Sequence, residues 1–104
     1  YMVEERSRPV RFGEALGGGV NSAFASLRSE IMKSGALSSK EKALIALACA
    51  VAIPCDSCVK FHRKAAISAG ATREEMLEAA AIGGLVRLGS GFSAAFAVLE
   101  EEME

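Results

Sequence analysis

Two cysteines and a histidine lie close together near the middle of the chain. Cys55, Cys58 and His62 fall within the nine-residue run PCDSCVKFH that begins at Pro54. Two thiols with two residues between them can form a small disulfide or share one metal ion. In a helix, Cys58 and His62 stand four residues apart on one face, where an imidazole can accept a thiol proton. This spacing predicts a redox-active cysteine pair or part of a metal site.

The metal interpretation requires a fourth ligand. Structural zinc takes four nitrogen or sulfur ligands, and the chain contains one further cysteine, Cys49. Cys49 lies in a run of alanine, leucine and valine, so we expect it to be a buried small side chain. We therefore expect no metal. A non-enzymatic redox-sensing or zinc-binding interaction module stays open as the alternative, as do two structural thiols beside a surface histidine.

Composition predicts a small helical domain without nucleic-acid partners. A length of 104 residues corresponds to one domain, 1–104, with a modest core. The formal net charge of −1 leaves no basic excess to neutralise phosphates. Hydrophobic residues make up 51% of the chain, and many are alanine. A helical domain this small and this apolar is expected to bury surface against copies of itself.

The sequence contains no obvious targeting or membrane signal. Residues 1–8 are polar, lack the apolar stretch of a signal peptide and are expected to be mobile. Tyr1 precedes the first methionine and is interpreted as a cloning remnant. The uncharged run Ala43–Cys55 is too short for a membrane span, and the run 79–99 is interrupted by Arg87 and several glycines. We expect a cytoplasmic protein, in which a close cysteine pair indicates redox or metal chemistry.

The elements that position the cluster are predicted to be helices, since no alternating strand pattern is present. Serine or threonine followed three residues later by glutamate is a capping box, which marks a helix start. Two such boxes occur, at Ser38–Glu41 and Thr72–Glu75. The predicted helices are Arg11–Leu16, a second from Asn21 or Ser22 to about Gly35, a central buried one to Ala52, Asp56–Ala69, a fifth to about Leu88, and a last one after a turn at Gly89–Gly91.

Pro54 places the cysteine pair at the start of the fourth helix. Proline breaks the preceding helix and is tolerated in the first turn of the next one. Unpaired backbone N–H groups and the helix dipole favour a thiolate at such a helix N-terminus. The position therefore favours redox chemistry.

The segment from Leu37 to Phe96 resembles the carboxymuconolactone decarboxylase / alkylhydroperoxidase D-like family. The resemblance rests on the runs LSSKEKALIALA from Leu37, CDSCVKFH from Cys55 and AGATREE from Ala69. It implies an all-α bundle of about five to six helices that forms a homo-oligomer, a trimer or hexamer. Members with the cysteine pair reduce peroxides or disulfides with thiols, whereas the decarboxylase lacks the pair. The resemblance thus points to the redox branch and disfavours decarboxylation.

Two positions depart from the family pattern. Ala43 stands where the redox members carry a relay glutamate, twelve residues before the first cysteine, and Ser57 stands where a second histidine is frequent. Glu41 lies about 200° round the helix from that position and should face away. A hydroxyl can pass a hydrogen bond but does not store a proton near neutral pH. An acid from elsewhere, such as Glu14, is a candidate replacement.

The resulting hypothesis is a thiol-dependent peroxidase or disulfide reductase. Cys58, paired with His62, is expected to attack, Cys55 to resolve the intermediate, and Ser57 to serve as a weak relay. Helix-dipole reasoning alone favours Cys55 as the nucleophile, whereas the histidine pairing and the resemblance favour Cys58. The expected substrate is a small hydroperoxide or disulfide, and the reductant is a protein or low-molecular-weight thiol. No bound cofactor is expected besides the Cys55–Cys58 pair.

Overall fold

The protein is all-α, as the sequence predicts. A computed structural model describes residues 6–103, with side-chain burial described for residues 6–100. This part of the chain contains six helices and no strand. The helices are α1 Arg8–Leu16, α2 Gly18–Met32, α3 Ser39–Ala52, α4 Asp56–Ser68, α5 Arg73–Ala95 and α6 Ala97–Met103.

Helix α3 forms the centre of the fold and packs against both α4 and α5. Its side chains Ala43, Leu47 and Ala50 are buried, each at most 5% exposed. Where α3 crosses α5, a Cβ added at Gly83 would lie 2.3 Å from the carbonyl oxygen of Ala48. The two helices therefore approach more closely than any side chain at that position allows. The predicted central position of this helix is confirmed, but only one side of it is buried, since Ile45 and Cys49 are exposed.

Both predicted capping boxes are present. The Ser38 hydroxyl accepts a hydrogen bond from the Glu41 amide at 3.0 Å, and the Glu41 carboxylate accepts one from the Ser38 amide at 2.8 Å. Thr72 and Glu75 form the same pair at 3.1 and 2.8 Å. The backbone hydrogen bond lowers the pKa of each glutamate below its ordinary value. Lys40 at the start of α3 also contacts Glu75 at 2.9 Å, which ties α3 to α5.

The first helices begin earlier than predicted. Helix α1 starts at Arg8 rather than Arg11, because the Ser7 hydroxyl accepts a hydrogen bond from the Val10 amide and a proline occupies the first turn. Helix α2 starts at Gly18, directly after Gly17, whose φ of 128° provides the turn. Residues 1–5, including Tyr1, lie outside the described residues, so the expected mobility of 1–8 stays a prediction there.

The turn predicted at Gly89–Gly91 is wrong. Helix α5 continues through this segment to Ala95, and the helical path changes only at Phe96. Each glycine weakens a helix interior by only about 1 kcal/mol relative to alanine, so two of them do not end a long helix without a proline.

The C-terminal half of α5 and the first residues of α6, up to Leu99, form an exposed apolar rod. The stretch Arg73–Glu100 is long and apolar enough, by length and composition alone, to cross a membrane, and only 6% of its most apolar window is buried within this chain. Leu85, Phe92 and Val98 are each at least 66% exposed. A single copy of the described chain thus leaves much of its largest helix uncovered.

Candidate functional site

The cysteine pair lies where the chain turns from α3 into α4. Cys55 is the N-cap residue of α4, and its sulfur accepts a hydrogen bond from the Cys58 amide at 3.3 Å. The Cys55 amide donates to the carbonyl of Ala50 at 3.1 Å, which anchors the turn to the end of the central helix. The first turn of α4 therefore holds both sulfurs near its unpaired backbone amides, where negative charge is favoured.

Cys55 and Cys58 form a disulfide, with their Cα atoms 5.2 Å apart. Both residues are half-buried. The Ser57 hydroxyl lies 3.6 Å from the Cys55 sulfur and can donate to it. Both sulfurs are thus held by the first turn of one helix.

Cys58, Ser57 and His62 line one pocket of about 130 Å³, which we call the Cys58 pocket. Its described lining residues are Ser7, Arg8, Pro9, Phe24, Arg28, Ser57, Cys58, Phe61 and His62. The structure therefore brings three of the four predicted site residues to one cavity, while Cys55 reaches it through its bond to Cys58.

His62 lies one helical turn after Cys58 and is half-buried against Phe61, whose ring meets the imidazole edge-on at 5.3 Å. Burial lowers the pKa of His62 below its ordinary value of 6.5, and the nearby Arg28 charge lowers it further. The imidazole is therefore neutral at pH 7, the form that can accept a proton from a thiol.

Arg28 is a pocket residue that sequence reasoning missed. Its guanidinium lies 5.7 Å from the ring centre of Phe24 and 5.9 Å from that of Phe61, within the range of a cation–π contact. Phe24 lies on α2, and Arg28 follows it by one helical turn on the same side. That spacing was the available signal, but nothing in the sequence shows that this face of α2 meets α4.

The relay candidates lie elsewhere. Ala43 is buried in the core, and Glu41 holds the cap of α3. Glu14 forms an ion pair with Arg6 and is not among the pocket residues. None of the described residues that line the Cys58 pocket is a carboxylate.

Cys49 is exposed, so the expectation that it is buried is wrong for the single chain. It lies on a side of α3 that neither α4 nor α5 covers fully, in an apolar groove of about 370 Å³. We call this the Cys49 groove; its lining residues are Leu44, Ile45, Ala48, Cys49, Ala52, Ala79, Ile82, Gly83 and Val86. No group of three or more histidine, cysteine or acidic side chains suited to a metal ion occurs among the described residues.

One family model and two curated proteins match the chain. The model of the Carboxymuconolactone decarboxylase family matches residues 19–101. The chain is 35% identical over 88 residues to a Paracoccus denitrificans protein described as "Uncharacterized protein 4 in cox locus", covering 82% of this chain and 79% of that one. An uncharacterised protein of Cupriavidus necator is 40% identical over 76 residues, covering 73% of this chain and 66% of its own length.

A solved structure is similar to this chain in both fold and sequence. The crystal structure of a protein from Methanobacterium thermoautotrophicum superposes with a TM-score of 0.70 at 40% identity, covering 77% of this chain and 90% of the other.

Proposed function

The chain belongs to the carboxymuconolactone decarboxylase family, and from this membership and its CxxC pair we propose that it is a thiol-dependent oxidoreductase. The observation that carries the proposal is the position of the pair. A disulfide at the start of α4 opens onto a pocket that also holds a neutral histidine and an arginine.

In the reduced protein, Cys58 is the attacking group. The α4 amides and the Arg28 charge favour its thiolate, and His62, one turn away, accepts its proton. Ser57 supplies a hydrogen bond near the sulfurs but no proton storage at neutral pH. These roles rest on the half-buried position of Cys58 beside an imidazole that burial keeps uncharged.

Reduction of a disulfide substrate requires only these groups. The Cys58 thiolate attacks one sulfur of the substrate, a mixed disulfide forms, and the other half leaves as a thiolate. Cys55 then attacks the Cys58 sulfur and releases the second half, which leaves the Cys55–Cys58 disulfide. An external thiol reductant restores the dithiol by the same exchange in reverse.

A hydroperoxide would be reduced through a sulfenic acid. The thiolate attacks one peroxide oxygen, the O–O bond breaks, and the alcohol leaves with a proton while Cys58 becomes a sulfenic acid. Cys55 displaces water from that sulfur to form the same disulfide. This route needs proton delivery to the leaving alcohol, and no carboxylate lines the described pocket, so we favour disulfide exchange over peroxide reduction.

The proposed setting is a cytoplasmic homo-oligomer, a trimer or hexamer. The exposed apolar rod and the Cys49 groove support self-association, because a single chain leaves them uncovered. The partners are a small oxidised substrate and a thiol reductant, with no nucleic acid, no membrane and no bound cofactor.

The proposal is tested by offering the purified protein a panel of hydroperoxides and a panel of small disulfides, with a dithiol as reductant. We expect turnover that Cys58→Ser abolishes, lowering the rate at least hundredfold, while Cys49→Ser leaves it unchanged. His62→Ala should slow turnover and shift its pH dependence upward.

Two results would contradict an enzymatic function, and a third would contradict the role of Cys58. One stoichiometric oxidation without turnover would identify a redox sensor, and one equivalent of zinc in the reduced protein would identify a metal-binding module. Turnover that survives Cys58→Ser would move the chemistry to another thiol.

A further inference from the structure

The charged groups that line the Cys58 pocket are all basic. Arg8 and Arg28 line it together with His62, and none of the described lining residues is acidic. An adjoining surface depression of about 240 Å³ adds Lys60 and Lys64. This local excess stands against a chain whose formal net charge is −1. The described lining of these two depressions is therefore basic, although the chain as a whole is not and Asp56 lies in the same first turn of α4.

Arg28 is held in place without an acidic partner among the described residues. Contacts with the rings of Phe24 and Phe61 fix its guanidinium, and the residue is half-buried. A guanidinium presents paired N–H donors that match the two oxygens of a carboxylate. A half-buried arginine with free donors at a pocket wall is suited to bind an anion that enters the pocket.

The rest of the pocket is apolar and about the size of one ring. Its volume is about 130 Å³, close to the roughly 150 Å³ of a cavity that binds benzene. Phe24 and Phe61 provide aromatic faces, and Cys58 lies at the same wall. The pocket is large enough for a compact apolar body that contacts both the arginine and the cysteine.

We propose that the Cys58 pocket selects substrates that carry a carboxylate on a ring-sized apolar body, with Arg28 as the residue that binds the carboxylate. The inference rests on the proposed function, since it names the substrate class of that site. Its reacting group is a disulfide, attacked by the Cys58 thiolate and resolved by Cys55 as above, so that each turnover releases two substrate thiols. A hydroperoxide with the same carboxylate would use the same binding contact.

Two chromogenic aromatic disulfides of similar size test the charge. Dithiobis(nitrobenzoate) carries a carboxylate on each ring, whereas dithiodipyridine is uncharged at neutral pH. All proteins carry Cys49→Ser, because the exposed third thiol would otherwise react. The measured quantity is the ratio of the two reduction rates at low reagent concentration.

Arg28→Met should lower this ratio about tenfold, which corresponds to about 1.4 kcal/mol in favour of the anionic probe. Arg28→Lys, which keeps the charge, should restore part of it. Arg73→Met removes one positive charge outside the Cys58 pocket and should leave the ratio unchanged. Raising the salt concentration should lower the wild-type ratio toward that of Arg28→Met.

The inference would be overturned if Arg28→Met left this ratio unchanged. This includes the case in which both rates fall equally, because Arg28 would then act on the thiol alone. Benzoate separates this failure from failure of the proposed function. Its binding can be followed through the NMR signal of His62, the single histidine of the chain, without any thiol chemistry. Benzoate bound through Arg28 by a protein that reduces neither probe would retain the anion site and reject the enzyme.

Discussion

The Cys58 pocket and the Cys49 groove place two thiols of the same small domain in opposite surroundings. Cys58 is half-buried at a helix start, beside an imidazole and a guanidinium. Cys49 is exposed in the last turn of α3, in a groove lined by apolar residues. The surroundings of Cys58 provide charges and a proton acceptor, whereas those of Cys49 provide only apolar surface. We therefore expect the reactivity of each cysteine to depend on its neighbours more than on its exposure.

The largest effect is expected from a charge placed in the groove. Ile82→Glu introduces a carboxylate on a wall that is 59% exposed in the single chain. If copies of the chain cover the groove, this charge would be buried without a partner, and the oligomer should dissociate at concentrations at which the wild type is assembled. Light scattering gives the mass, and Glu30→Lys at an exposed polar site is the control. A wild type that is already monomeric would contradict the prediction that copies of the chain cover the groove.

The next effect concerns the crossing of α3 and α5 beneath the groove. Gly83→Ala places a methyl group 2.3 Å from the Ala48 carbonyl oxygen and 3.1 Å from the Val51 Cβ. Overpacking of this kind costs roughly 1–3 kcal/mol, and a backbone contact belongs at the upper end of that range.

Gly84→Ala is the matched control, because its added Cβ would meet nothing within 4 Å. It should raise the free energy of unfolding by roughly 0.5–1 kcal/mol through improved helix propensity. Urea unfolding of both variants gives the two values. Equal stabilities would show that the helices can separate at this crossing without cost.

The thiols themselves provide the third comparison. In variants that each retain one cysteine, we expect alkylation of Cys58 at pH 7 to be about tenfold or more faster than that of Cys49, since thiolate is the reacting form. His62→Ala should slow the Cys58 reaction and leave that of Cys49 unchanged. Rates measured against pH also test the assignment of roles: a fast reaction only in the protein that retains Cys55 would make Cys55 the nucleophile.

The smallest effect is expected in the titration of His62. Its NMR titration should have a midpoint below pH 6.5, because burial and then the Arg28 charge disfavour the imidazolium. Arg28→Met should raise that midpoint but keep it below 6.5, since burial is the larger cause.

The same depressed pKa has a consequence for stability. The unfolded chain binds a proton at His62 more readily than the folded chain, so the free energy of unfolding should fall as the pH drops below about 6.5. If Arg28→Met leaves the midpoint of the His62 NMR titration unchanged, the arginine lies too far from the imidazole to affect its pKa.

Local signals predicted much of this structure. The two capping boxes marked the starts of α3 and α5, because side chains three residues apart satisfy the end amides without help from the rest of the fold. Pro54 and the cysteine spacing likewise placed the pair at the start of α4.

The predictions that were wrong or missing concern features that depend on packing between helices. The glycines at 89 and 91 continue a helix rather than ending it, and Cys49 is exposed because, among the described residues, α5 borders the Cys49 groove without covering it. Arg28 joins the pocket because its side chain reaches from α2 to the ring of Phe61 on α4. Helical periodicity identifies which residues share a face, but it does not identify which helix that face will meet.

Because Cys55 is the N-cap residue of α4, it takes part in two equilibria, the reduction of the disulfide and the formation of the helix. If the amides of the first turn stabilise a thiolate, they stabilise the reduced protein over the oxidised one, which makes the disulfide a stronger oxidant. The reduction potential and the stability of α4 are then thermodynamically coupled, so that fraying of this helix would weaken the oxidant. The reduction potential of the pair in this sense depends on the first turn of the helix as well as on the two sulfur atoms.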